Sequence, residues 1–458
     1  MRRSAVLLAL LTLVLTGAPA VAAASGTTLT RIAPDAGRGH PVAGVEGVLD
    51  LPGYTEQEFL LSGEADTYEQ VGTWSSDGRW EARVSSTGND FTTRLLVERP
   101  RDPARFNGVV VVEWLNVSFG VDIPVDLSQS WEHFVRRGYA YVGVTAQKVG
   151  ADRLTALDPA RYGDVSLSDD SLSYDVFGQA ARAVRTQPRL LGGLHARTVL
   201  ATGHSQSAGR LVTHLNAVQP LRHAFDGALV HGRGPTAAPI ATGAAPVPSA
   251  LIRDDQDVPA FVVQAETDVL APGAVHQNAR RVRTWEVAGT AHADRYGLDL
   301  YNALNARDGT TNGGAPTTCA APVNDMTHRY AQNAAYEHLL TWVRRGEAPP
   351  VAPPITKVAG VVQRDADGNA LGGVRLPDLD VPVARYSPTG TGGNVPGACL
   401  LLGATTPFTA ERLAALYEDH TAYTSAFRRA AASALRSGYL LPADFHEAVA
   451  RAEAAPVP

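Results

Sequence analysis

From Asn107 onward, apolar positions fall into two alternating patterns. The segment "GVVVVEW" (108–114) is an unbroken apolar run, as expected of a parallel strand buried on both faces. A helical stretch near Ser130–Arg137 follows and stops at Gly138, and "YAYVGV" (139–144) is again a strand. The alternation then repeats, with a helix over about Tyr174–Val184, the strand "TVLAT" (198–202) and the helix "QSAGRLVTHLNAV" (206–218). Three further strands are expected in "FDGALVHG" (225–232), "PAFVVQAETD" (259–268) and "TWEVAG" (284–289). A longer helix over about Tyr330–Arg344 is stopped by Gly346, with Pro349 and Pro350 beyond it. Strand alternating with helix argues for an α/β fold built on a mostly parallel sheet.

Thr28–Arg101 has a different rhythm. Short apolar runs such as "GVEGVLDLPG" (44–53) and "FTTRLLVERP" (91–100), broken by Gly, Ser and Asp, predict strands joined by turns. Beyond Pro350 a Gly/Pro-rich stretch leads to helical segments near Ala410–Tyr417, Tyr423–Ser437 and Ala443–Glu453. No solenoid period is visible. The division predicted is a core over about 106–346, with the strand-rich N-terminal segment and an extension over about 350–458 packed on it.

Composition changes this picture at the chain's start. Arg2 and Arg3, an apolar run from Ala5 to Thr16 and the small residues Ala20 to Ala24 have the layout of a signal peptide over 1–24. The run is too short for a comfortable membrane span, so a secreted mature chain without an integral membrane segment is expected over 25–458. A net charge of -6 and the lack of any basic run argue against a nucleic-acid partner. The two cysteines, Cys319 and Cys399, are expected to form one disulfide in an oxidising compartment. Closing a loop of roughly 80 residues would contribute about 4 kcal/mol in a chain-entropy account.

The segment "TVLATGHSQSAGRLVTHL" sets Ser205 between strand and helix, with Gly203 and Ser207 two residues away on either side. Small residues there suit a strained turn that exposes a nucleophilic hydroxyl, although the usual second glycine is replaced by Ser207. A neutral serine needs a base. His292 lies in the loop directly after the last strand, in "TWEVAGTAHAD", which fits the order serine, acid, histidine. Two carboxylates just past an earlier strand, Asp268 and Glu266, are candidates for the acid. Asp268 is expected, because it lies three residues beyond the small Ala265, while Glu266 falls inside the turn and could support the loop. For the oxyanion, the N–H of Gln206 and that of Leu115 or Asn116 in "WLNVSFG" are the expected donors. His204 is expected to pack beneath the turn. His223, His231 and His276 lack the spacing of a metal site, and no metal is expected.

With these residues in place, the chain resembles a bacterial family known as the alpha/beta hydrolase domain family. The resemblance runs in ordered blocks over nearly the whole mature chain, among them "GYTEQEF", "PARFNGVVVVEWLNV", "GYAYVGVTAQKVG", "SYDVFGQA", "GHSQSAGRL", "FDGALVHGRG", "QAETDV", "WEVAGTAHAD", "LGGVRLP" and "LLGATTPF". It implies an α/β-hydrolase fold forming a single catalytic unit, and it accommodates the "S-Q-S" of Ser205–Ser207. The expected activity is hydrolysis of a carboxylic ester through an acyl-enzyme on Ser205, on a small-molecule or lipid-like substrate and without a cofactor. Amide or peptide hydrolysis uses the same three groups, and a non-catalytic binding protein on the same scaffold is the alternative from another class.

Overall fold

The computed structural model describes residues 26–256, 258–310, 318–395 and 397–457; the expected signal peptide lies outside the described residues. Successive side chains on a strand point to opposite faces, so the run Val109–Val112 must serve two cores. It does so: Val110 and Val112 join one apolar cluster, Val109 and Val111 the other. Strand β4 (Val109–Trp114) is thus the middle of a layered molecule, buried at every position.

Nine strands form one sheet among the described residues. The others are β1 (Thr28–Arg31), β2 (Tyr54–Val71), β3 (Glu81–Pro100), β5 (Ala140–Val144), β6 (Thr198–His204), β7 (Gly227–His231), β8 (Ala260–Ala265) and β9 (Val282–Val287). Their spatial order is β1-β2-β3-β5-β4-β6-β7-β8-β9. The first three pair antiparallel, β3 also pairs antiparallel with β5, and the run from β5 to β9 is parallel. Because the chain passes from β4 to β5 on one side and then to β6 on the other, strand order reverses between β4 and β6. Ligands of open α/β sheets bind beyond the carboxyl ends of the strands at such a reversal. Loop 115–124 and the turn at Ser205 both open there.

Helix α1 (Val125–Arg137) begins five residues before the expected stretch. The Glu113 carboxylate accepts the N–H groups of Asp126 and Leu127, at 3.0 and 3.1 Å, supplying from a neighbouring strand the cap that the local sequence lacks. Helices α2 (Lys148–Leu157), α3 (Ser173–Thr186) and α4 (Gln206–Thr213) follow, the last continuing through a π-helical turn at His214–Val218. Helix α5 (Arg295–Asp308), which periodicity did not single out, contains Gly297 and several Asn and Asp residues that are poor helix formers. It is started by Asp294, whose side chain accepts the Gly297 N–H at 2.9 Å. Helix α6 (His328–Arg345) ends at Gly346 in the left-handed conformation, as expected. The segment "GVEGVLDLPG" is a series of turns rather than a strand.

The C-terminal segment supplies helices α7 (Ala398–Leu402), α8 (Ala410–Leu416), α9 (His420–Arg436) and α10 (Pro442–Glu453). It also closes the sheet. Val374 exchanges backbone hydrogen bonds with Glu286 and Ala288 at 2.7 and 3.0 Å, so the outer edge of β9 is not left open. Cys319 and Cys399 form a disulfide that ties α7 to the segment ahead of α6. No helix among the described residues is long and apolar enough to cross a membrane.

Candidate active site

Ser205 has φ 61°, ψ -119°, a conformation that a side-chain-bearing residue adopts only when its surroundings enforce it. Three contacts do. Its N–H donates to the His231 carbonyl at 3.0 Å, its carbonyl accepts the Gly209 N–H at 3.1 Å, and helix α4 starts at the next residue. A Cβ at Gly203 would stand 3.3 Å from three atoms of Ser207, so the turn is closed tightly enough to favour glycine there. Ser207 is buried, and its hydroxyl donates to the Leu115 carbonyl at 3.2 Å. That bond gives the unusual serine a purpose, because it fastens the turn to the loop after β4.

His292 Nε2 lies 2.8 Å from Ser205 Oγ, and His292 Nδ1 lies 2.5 Å from Asp268 Oδ1. The second Asp268 oxygen accepts the Ala265 N–H at 2.7 Å, which fixes the carboxylate against the end of β8. The imidazole is also held through its backbone: the His292 N–H donates to Thr267 Oγ1 at 3.1 Å. Glu266 points elsewhere. It is fully buried, accepts the Gly289 N–H at 2.8 Å and pairs with Arg364 at 2.6 Å. Burial raises its pKa, and Arg364 opposes that rise. Of the two candidate carboxylates, Asp268 meets His292, while Glu266 braces the loop that carries it.

The loop after β4 departs from expectation. The backbone N–H of Leu115 donates to the Val144 carbonyl at 3.3 Å, and that of Asn116 to the Ile123 carbonyl at 3.2 Å. Neither is directed at the space beside Ser205. Extended pairing carries past the end of β4 and consumes both donors, which a sequence pattern does not reveal. The Asn116 side chain instead donates to the His204 carbonyl at 2.9 Å, a second fastening of loop to turn. Gln206, as the first residue of α4, keeps an N–H with no intrahelical acceptor.

Beneath the serine lies a group that sequence spacing did not suggest. The His204 ring sits 4.4 Å from those of His292 and His231, and His231 sits 5.1 Å from His328. His204 Nε2 is 3.1 Å from the His292 carbonyl oxygen and donates to it. Burial holds His204 well below the usual histidine range and brings His231 to about 4 and His328 to about 3. The three rings are therefore neutral at neutral pH and put no positive charge under His292. Their residues lie on β6, β7 and α6, so only the fold brings them together. Among the described residues no cluster of His, Cys, Asp and Glu is suited to hold a metal ion.

Two spaces flank Ser205 and His292. One is a cavity of about 150 Å³ between loop 115–124, the start of α1, α5 and α7; the other is a more open groove floored by Gly232, Gly234, Ala237 and Ala238. A hydroxyl facing an imidazole that is oriented by a carboxylate, open to substrate on two sides, is equipped for proton transfer coupled to nucleophilic attack.

A family model described as "Alpha/beta hydrolase domain" matches residues 23–450. No curated protein matches the chain in sequence. Among solved structures, it is similar to an α/β serine hydrolase without a lid from Xanthomonas campestris, at 13% identity and a TM-score of 0.30 over 55% of this chain and 97% of that one. It is similar to a putative dienelactone hydrolase from Klebsiella pneumoniae, at 13% identity and a TM-score of 0.31 over 55% and 99%. A thermostable esterase from Pseudomonas putida shares 15% identity, with a TM-score of 0.29 over 48% of this chain and 66% of that one. On the match that spans nearly its whole length, the chain belongs to the alpha/beta hydrolase domain family.

Proposed function

We propose that the protein is an exported serine hydrolase that cleaves carboxylic esters through an acyl-enzyme on Ser205. His292 takes the Ser205 proton as Oγ bonds to the ester carbonyl carbon, then delivers it to the alkoxide oxygen as the carbon–oxygen bond to the alcohol breaks. Water repeats the sequence: His292 accepts its proton, the acyl carbon passes to the water oxygen, and Ser205 Oγ recovers the proton as the acid leaves. Asp268 holds the tautomer in which Nδ1 carries hydrogen and Nε2 faces the serine. The Gln206 N–H serves the oxyanion.

The observation that carries this reading is the unbroken line Asp268–His292–Ser205, with both hydrogen bonds at 2.8 Å or less. The Cys319–Cys399 bridge supports the exported location, since such bonds persist in oxidising compartments. A fluorophosphonate probe tests the chemistry. Peptide mapping should place the label on Ser205 alone, and Ser205→Ala should abolish both labelling and turnover of a p-nitrophenyl ester. Labelling that survives Ser205→Ala, or that maps to Ser207, would overturn the assignment.

A further inference from the structure

The two spaces beside Ser205 differ in build. In the cavity, the rings of Phe119 and Tyr301 lie 5.7 Å apart, Tyr301 packs against the apolar cluster that holds Leu402, and Leu401 and Leu402 of α7 complete the wall. Of its polar residues, Asn116 donates to the His204 carbonyl, Ser128 to the Pro124 carbonyl and the Gln129 amide nitrogen to Asp294, and the Asn305 oxygen accepts from Thr310; Ser118, Asn302 and the buried, unpartnered Gln129 oxygen line it as well. The surface left to a guest is still mainly apolar. The groove on the far side is lined by small residues and by Asp268, and Leu401 borders both spaces.

The chemistry decides which half of an ester belongs where. The acyl group stays bonded to Ser205 after the alcohol has left, so the more enclosed space suits the part that stays. The open groove lets the alcohol leave and water enter. Helix α7 is also rigidly tied to the reacting groups. Ala293, the residue after His292, donates its N–H to the Leu401 carbonyl at 3.1 Å, and Asn324 donates to the Leu402 carbonyl at 3.1 Å. The disulfide at Cys399 fixes the same helix from the other side.

We infer that this cavity is the acyl site and that it fits an apolar acyl group of about six carbons, with Leu401 and Phe119 setting that limit. The size follows from the volume: a dry apolar cavity of about 150 Å³ holds a benzene-sized guest. Hexanoyl and benzoyl groups match it; acetyl underfills it and decanoyl overfills it. The inference rests on the ester-hydrolase reading above.

The test is a series of kcat/KM values for p-nitrophenyl acetate, butyrate, hexanoate, benzoate and decanoate, set beside ethyl, hexyl and decyl acetate. At about fourfold per buried methylene, hexanoate should exceed acetate by on the order of 100-fold, with decanoate falling below hexanoate. Lengthening the alcohol of the alkyl acetates should change kcat/KM less than threefold. Leu401→Ala and Phe119→Ala should each raise the decanoate-to-hexanoate ratio at least tenfold. Both side chains are 38% exposed, so truncation should leave the fold intact, and the wild-type series stands without either variant. A flat acyl series, a steeper response on the alcohol side, or variants that change all acyl esters equally would overturn the inference. If Ser205 is labelled by a small fluorophosphonate while the acyl series is flat, the cavity assignment fails and the serine chemistry stands. If there is neither labelling nor hydrolysis, both fail.

Discussion

Glu266 and Asp268 are both acidic and lie two residues apart, yet they serve different neighbours, and their partners explain why. Asp268 gives one oxygen to the Ala265 N–H and the other to His292, so its charge orients the imidazole. Glu266 spends its carboxylate on Gly289 and Arg364, holding the start of the histidine loop to the C-terminal segment. Asp268→Asn should therefore lower kcat on p-nitrophenyl butyrate by about 10³- to 10⁴-fold while the protein stays folded, because the amide favours the wrong tautomer. Glu266→Gln should lower kcat less than tenfold and instead cost about 1–3 kcal/mol of stability, as a buried charge-assisted pair is weakened. Urea unfolding and steady-state rates separate the two, and a larger kcat loss in Glu266→Gln would exchange the roles. The meeting of Ser205, His292 and Asp268 was expected because the turn around Ser205 is a local pattern and the order serine, acid, histidine at strand ends follows from the fold, even though Ser205 and His292 lie 87 residues apart. Arg364 was not, lying 98 residues from Glu266. The capture of the Leu115 and Asn116 N–H groups was equally hidden, since their acceptors, Val144 and Ile123, are set by pairing across the fold.

At the scale of elements, what the sequence hid was mostly tertiary capping. Glu113 starts α1 from within a strand, whereas Asp294 is a local cap on a helix whose own residues favour helix weakly, and so gave too faint a signal by itself. The strand positions were legible because burial on both faces writes itself as continuous apolar runs. Their spatial order was not, since it depends on which side of the sheet each crossover takes. The short helix α7 carries the most consequence for its length, because it walls the cavity and depends on a bridge spanning 80 residues. Replacing both cysteines, as Cys319→Ser with Cys399→Ser, should cost about 4 kcal/mol in the chain-entropy account. It should also loosen the wall, raising the decanoate-to-hexanoate ratio as Leu401→Ala does. Melting curves and the acyl series check the two effects separately, and a double variant with unchanged ester selectivity would detach the bridge from the cavity.

Over the whole molecule, the buried ionisable groups pull stability in opposite directions with pH. Glu58, Glu98, Glu113 and Asp126 are raised by burial, so the folded chain keeps protons that the unfolded chain has lost, and their contribution declines as pH rises above the carboxylate range. The buried histidines work the other way. His214 is the clearest case, because it lies away from the reacting groups, packed edge-on against Phe177 and Phe225, with no hydrogen-bond partner on either ring nitrogen. Burial lowers its pKa to about 3, with Arg182 adding to the fall and Asp175 opposing it. In the unfolded chain its pKa is about 6.5. Below pH 6.5 the unfolded state therefore takes up a proton that the folded state refuses until about pH 3. Stability from this residue is full above pH 6.5 and declines by about 1.4 kcal/mol per pH unit through that window. Since the carboxylates oppose this trend, the wild-type curve alone does not isolate it, whereas the difference from a variant does. His214→Leu removes the titrating ring and fills a similar volume. Its stability relative to wild type, from urea unfolding, should improve by about 2 kcal/mol between pH 7.5 and pH 5.0, with the pH profile of kcat unchanged. A difference that stays constant across that range would show that His214 takes up its proton equally in the folded and unfolded chains, and the acid sensitivity would have to come from His204, His231 and His328 instead.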